Sequence, residues 1–240
     1  MSDRFAVRAR DIRRQRLKRG LLGAATVLVL GTLTWLVWFS DVLAVHDVDV
    51  AGRTSLQEKQ VLRTAQVPAG EPLARVDLTA IKARIASMDR VESVDVSRSW
   101  PATISIDIVE RRAVMWSLIG GRARGIDRNG IDFRAYSRAP GSLVEASIAV
   151  ADPDERLEVT EAVASVIDLI TQKDQALRRQ VQAVSAETKD SIVLDLTRGR
   201  TILWGSARKG TRKLEVLDSL LTLDASRYDV SAPDQPTTRK

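Results

Sequence analysis

The 240-residue chain contains no cysteine and only one histidine, His46. The first absence excludes a disulfide framework, a thiolate nucleophile and a thiolate zinc site. The second leaves no set of imidazoles to hold a metal. Aromatic residues are scarce, at 4%, yet 44% of the chain is apolar, enough for one or two small domains with cores of their own. Seven prolines and 13 glycines are too few for a collagen-like or grossly disordered chain. The formal charge of +6 invites a nucleic-acid reading, but the basicity is not spread along the chain. Residues 1–19 hold eight bases and two acids, which leaves 29 of each sign over residues 20–240. A nucleic-acid binder carries its basic face on the folded domain, so no nucleic-acid partner is expected.

Catalysis would need a nucleophile–base pair, paired carboxylates or a metal cluster. The closest approach is the acidic run of Asp152, Asp154, Glu155, Glu158 and Glu161, in which Asp154, Glu158 and Glu161 fall near one helix face. Pro153 marks that run as a helix start, where carboxylates cap backbone N–H groups and favour the macrodipole. Arg122 and Arg124 read as exposed positions on one strand face. The chain is therefore expected to be non-enzymatic, with no cofactor and no metal.

What the chain does have is one long apolar run. Gly20 to Ser40 carries no charge and would span about 31 Å as a helix, close to the hydrocarbon thickness of a bilayer. Trp35, Trp38 and Phe39 cluster at its end, where amphipathic rings favour the membrane–water interface. Arg13, Arg14, Arg16, Lys18 and Arg19 precede it, and Asp41, Asp47 and Asp49 follow. The positive-inside rule then places the N-terminus in the cytoplasm and everything after about residue 41 outside. Val42-Leu43-Ala44 resembles a signal-peptide cleavage site, but the run is longer than a signal core and ends in bulky rings, which favours an uncleaved anchor.

Beyond the anchor, residues 45–50 alternate with period two and form a strand. Ser55 with Glu58 offers a capping box for a helix of about ten residues. Asp77 or Thr79 caps a second helix, with Leu78, Ile81, Ile85 and Met88 at helical spacing. Val94 and Val96, then Ile104, Ile106 and Ile108, mark two strands, joined at Trp100-Pro101. After Met115 come a strand, a turn at 127–130 and another strand, then an amphipathic helix over 155–180. Three strands follow near 181–187, 191–197 and 200–204, then a helix over 208–222 and a short strand at 228–230.

The segment VESVDVSRSWPATISIDIVERRAV (91–114) resembles the end of the POTRA domain of the FtsQ/DivIB family of bacterial cell-division proteins. GIDRNGIDF (125–133), LWGSARKGTRKLEVLDSLL (203–221) and YDVSAPDQPTTRK (228–240) are similar to later parts of that family, in the same order. The resemblance implies an α+β protein: a cytoplasmic tail (1–19), a transmembrane signal anchor (20–40), a β-α-α-β-β POTRA domain (41–112), a mostly antiparallel β domain with flanking helices (113–232) and a C-terminal tail (233–240). It implies a single-pass divisome scaffold of the cytoplasmic membrane at the septum. Its partners would be FtsB- and FtsL-like proteins and, through them, the septal synthase and transpeptidase.

Within that frame the partner-binding edge is expected at Ser226, Arg227, Tyr228, Asp229, Val230, Ser231 and Ala232, after the final helix. Tyr228 would be the anchor, and Arg227 and Asp229 would select charge by β-augmentation. Pro101 is expected to end one strand's pairing at the turn, and Trp100 to pack at that corner of the first domain. Glu110, Arg111 and Arg112 are expected to fix the angle between the two domains. Two other classes compete with the scaffold: a POTRA-bearing transport or assembly component, which usually feeds a β-barrel, and a membrane-tethered cell-wall enzyme, which needs a catalytic constellation.

Overall fold

The computed structural model describes residues 21–32, 34–38 and 40–240. Arg13, Arg14, Arg16, Lys18, Arg19 and Phe39 lie outside the described residues. The chain divides into two compact units between Glu110 and Arg111.

Helix α1 (Leu21–Trp38) is long and apolar enough to cross a membrane. The hydroxyls of Thr26, Thr32 and Thr34 donate to carbonyls four residues back, at 2.9, 2.9 and 2.8 Å. The polar groups inside the apolar stretch are thus satisfied within the helix, as a hydrocarbon surrounding requires. Trp35 and Trp38 are exposed at its C-terminal end.

The first unit continues with β1 (Asp47–Ala51), α2 (Glu58–Ala65), α3 (Leu78–Ala86), β2 (Val91–Ser99) and β3 (Thr103–Glu110). The strand order is β1-β3-β2, with β1 parallel and β2 antiparallel to β3. Alternation dictates the layers: Val94 and Val96 on β2 and Ile104, Ile106 and Ile108 on β3 turn inward, onto Val61, Ala65, Ile81 and Ile85 of the helices. Each such aliphatic side chain gains roughly 1.5–3 kcal/mol from burial. Asp77 caps α3 by accepting from the Ala80 amide at 3.0 Å. The expected capping box on α2 does not form. That helix starts at Glu58 behind Gln57, whose side chain makes no cap bond, because Ser55 is engaged elsewhere.

The second unit holds β4 (Ala113–Ile119), β5 (Arg122–Asp127), β6 (Asp132–Tyr136), β7 (Val144–Ile148), α4 (Pro153–Lys173), α5 (Gln175–Gln180), β8 (Val181–Ala186), β9 (Ile192–Leu196), β10 (Thr201–Gly205), α6 (Gly210–Leu220), β11 (Arg227–Asp229) and β12 (Thr237–Arg239). One nine-stranded sheet runs β12-β11-β10-β9-β8-β7-β4-β5-β6. It is mostly antiparallel, although β7 is parallel to both its neighbours and β11 is parallel to β10. Register aligns Ala146, Val184, Leu194, Ile202 and Tyr228 in one row across five strands, and all five are buried. Val159, Val163, Val166, Ile167 and Ile170 of α4 belong to the same core. The helix expected over 155–180 breaks at Asp174, which leaves helical geometry and caps α5 by accepting from the Leu177 amide at 2.8 Å.

Candidate partner-binding site

The end of the sheet is built from the last 15 residues. Strand β11 lies in parallel register with β10, pairing Thr201 with Arg227, Ile202 with Tyr228 and Leu203 with Asp229. Tyr228 is only 1% exposed, and its hydroxyl donates to the Leu223 carbonyl at 3.0 Å. Val230 is fully buried. Asp229 accepts from both the amide and the hydroxyl of Ser231, at 2.9 and 2.7 Å, which starts a turn. The turn passes against Gly205, whose positive φ leaves no room for a side chain: a Cβ there would lie 2.8 Å from that of Ser231. Pro233 is buried, and Lys209 pairs with Asp234 at 3.1 Å. The chain then comes back antiparallel as β12, setting Arg227 opposite Arg239, Tyr228 opposite Thr238 and Asp229 opposite Thr237.

This corrects the expectation that residues 226–232 form the sheet's edge. Strand β11 is flanked on both sides, and Tyr228 and Val230 are core residues. The outer strand is Thr237–Arg239, exposed along its whole length. Pro233 and Pro236 lie in the segment that reverses the chain. The signal for β12 was the β-branched pair Thr237-Thr238 after the prolines. Beside β11, a cavity of about 440 Å³ is lined by Arg198, Arg200, Ser226 and Lys240 among others.

The opposite end of the sheet is β6. Asp132 at its start pairs with Arg124 of β5 at 2.7 Å, and the exposed Arg134 lies over the Tyr136 ring at 5.1 Å. Charge on an outer strand discourages a further strand from adding there.

Glu110 and Arg111 are the residues on either side of the boundary between the units. The Glu110 carboxylate is 8% exposed and accepts from the amides of Thr54, Ser55 and Leu56 at 2.6, 2.8 and 2.9 Å, and from the Ser55 hydroxyl at 2.5 Å. Burial alone would raise its pKa. The Ser55 hydroxyl and the three amides outweigh that and hold it at about 2. Arg111 pairs with the buried Asp127 at 2.5 Å, while Asp127 also accepts from the amides of Asn129 and Ile131, both at 2.9 Å. Arg112 is exposed.

Residues 43–111 match the family model of the FtsQ-type POTRA domain. The cell division protein FtsQ of Streptomyces bingchenggensis is 36% identical over 233 residues, covering 93% of this chain and 88% of that protein. The chain belongs to the FtsQ family of cell division proteins. The same name is carried by relatives in Streptomyces coelicolor, 32% identical over 96% of this chain and 91% of that protein, and in Corynebacterium glutamicum, 31% identical over 91% of this chain and 96% of that protein. As an FtsQ-family member the chain is a division protein with a POTRA domain and a membrane-length helix ahead of it.

Among the described residues of this FtsQ-family chain, no cluster of three or more His, Asp or Glu side chains could hold a metal. Asp152 caps α4 by accepting from the Asp154 and Glu155 amides at 3.0 and 2.9 Å, with Pro153 opening the helix. Glu158 pairs with Lys189 at 3.1 Å on the surface. Trp100 does not pack at a corner as expected: it is 53% exposed on the turn between β2 and β3.

Proposed function

We propose that the chain is a non-enzymatic scaffold of the divisome, bound to the cytoplasmic membrane at the septum. Helix α1 anchors it, with the basic tail in the cytoplasm and both folded units outside. It receives a strand from an FtsB-type partner, held together with an FtsL-type protein, and through that pair connects to the septal synthase and transpeptidase. The observation that carries this reading is β12, a short exposed strand at the end of a nine-stranded sheet. An outer strand has backbone groups with no neighbour on one side, and an incoming strand satisfies them while side chains set selectivity. Arg227 and Arg239 stand directly opposite one another. Like charges so placed repel, so an incoming strand bearing a carboxylate beside Arg239 is favoured over one bearing a base.

Tyr228 and Val230 are core residues, so their replacement would damage the fold and not only the interface. Thr238→Pro instead removes one donor from the outer strand. Co-purification of the FtsB-like partner should drop sharply while circular dichroism of the variant stays unchanged. Full retention of the partner would overturn the assignment to β12.

A further inference from the structure

We propose that the β2–β3 turn of the POTRA unit, through Trp100, seats in the membrane interface beside the anchor. Beyond the anchor, the described large apolar side chains left exposed in this unit are Val42, Trp100 and Val109, at 74%, 53% and 53%. Their positions along the sheet differ. Val109 is near the far end of β3 from Thr103, whereas Trp100 precedes Thr103 and Val42 precedes β1. Because Asp47 of β1 is in register with Thr103 of β3, the turn holding Trp100 sits where the chain enters the unit from α1.

That connection is short and tied down. The Ser40 amide still donates to the Leu36 carbonyl at 3.1 Å, and the His46 amide donates to the Ala102 carbonyl at 2.9 Å. His46 is six positions after Ser40, so the turn lies within about 20 Å of the helix end even for a fully extended link. The link is not extended. Residues 41–43 form a 3-10 turn, and Val45 exchanges backbone bonds with Glu71 and Gly70 at 2.9 and 3.0 Å. Ala44 and Val45 are both 2% exposed. The rim carrying Trp100 is therefore held near the point where α1 leaves the hydrocarbon.

An indole left half in solvent at such a place has a fitting environment, since it combines an apolar body with one N–H donor and favours the headgroup layer. Pro101 beside it is also exposed and has no amide to desolvate. The neighbouring Arg98 is turned away from the rim's surface, donating to the carbonyls of Leu73 and Val76 at 2.8 and 2.7 Å. The contact is thus made by a ring and not by charge, and it should not require anionic lipid.

The inference rests on α1 spanning the bilayer, and the test separates the two. The chain has no native cysteine, so Ser99→Cys next to Trp100 and Val109→Cys at the far end can each carry a single environment-sensitive fluorophore. The full-length proteins are reconstituted into phosphatidylcholine vesicles containing lipid spin-labelled near the headgroup. Quenching at position 99 should exceed that at 109 several-fold, fall to the level of 109 in a Trp100→Ser background, and be retained with Trp100→Tyr, which keeps an interfacial ring. Equal quenching at the two positions, or no response to Trp100→Ser, would overturn the proposal. So would a label at 99 that is shielded from aqueous iodide yet unquenched by the lipid, since protein would then cover the turn. Failure of the protein to float with the vesicles would sink the anchor and the rim contact together.

Discussion

Among the described residues of the POTRA unit, the one buried charge is an anion surrounded by neutral donors: Glu110 takes three amides and a hydroxyl. In the C-terminal unit buried charge is either paired or cationic. Asp127 faces the Arg111 guanidinium, and Lys213, 1% exposed on α6, donates to the Trp204 and Ser206 carbonyls at 2.8 and 2.7 Å. Burial pushes the Lys213 pKa down, with Arg208 adding to the effect against Asp190 and Asp229. The cores differ too. The first is wholly aliphatic, built on Val, Leu, Ile and Ala, while the second adds Met115, Trp204 and Tyr228. A small aliphatic core leaves its loops without large side chains to pin them, and one carboxylate does that work for the loop between β1 and α2. The larger core uses its buried ions to tie helix ends and turns to strands already in place.

The comparison is most easily broken at Glu110. Holding its pKa at about 2, from an ordinary 4.5, corresponds to about 3 kcal/mol of stability. Glu110→Ala should cost about that much, with hydrogen exchange of the Thr54–Leu56 amides rising first and the C-terminal unit unaffected. Equal loosening of both units would show that they are not independent in stability. The same group gives a pH signature. Its pKa is depressed in the folded state, so its contribution is complete above about pH 4.5, declines as the pH falls below that, and is gone near pH 2. A smaller effect is expected at Lys213. Lys213→Met leaves two carbonyls without their donor but also removes a desolvated charge, for a net loss of about 1–2 kcal/mol confined to the C-terminal unit's thermal transition. The smallest is at the surface: Lys189→Ala breaks the pair with Glu158, both more than 60% exposed, and should change stability by less than about 0.5 kcal/mol.

The contrast also explains what could be read ahead of the structure. All five elements of the POTRA unit were legible, because its strands alternate cleanly and its helices carry strong aliphatic spacing. What failed there was local: Ser55 satisfied every sequence requirement of a helix cap, but a carboxylate 55 residues away competed for it and won. In the C-terminal unit two strands went unread. Val144-Glu145-Ala146-Ser147-Ile148 alternates but is diluted by small residues, and its pairing to β4 and β8 is entirely non-local. Thr237–Arg239 is too short to show a period and follows two prolines. Missing it shifted the expected edge inward by one strand and turned a buried tyrosine into an apparent anchor. Trp100 erred in the opposite direction, because its size suggested burial and nothing local showed that the turn faces outward.

The charged outer strand β6 has a consequence for counting. On the proposed strand addition, the sheet is extended beside Thr237-Thr238 of β12, while Asp132 and Arg134 guard its other end against a further strand. Once a single strand from a partner is added, the extended sheet has no second receptive end in this chain, so copies cannot thread head to tail into a filament. On the proposed strand addition, the nine-stranded sheet would therefore take one strand per copy.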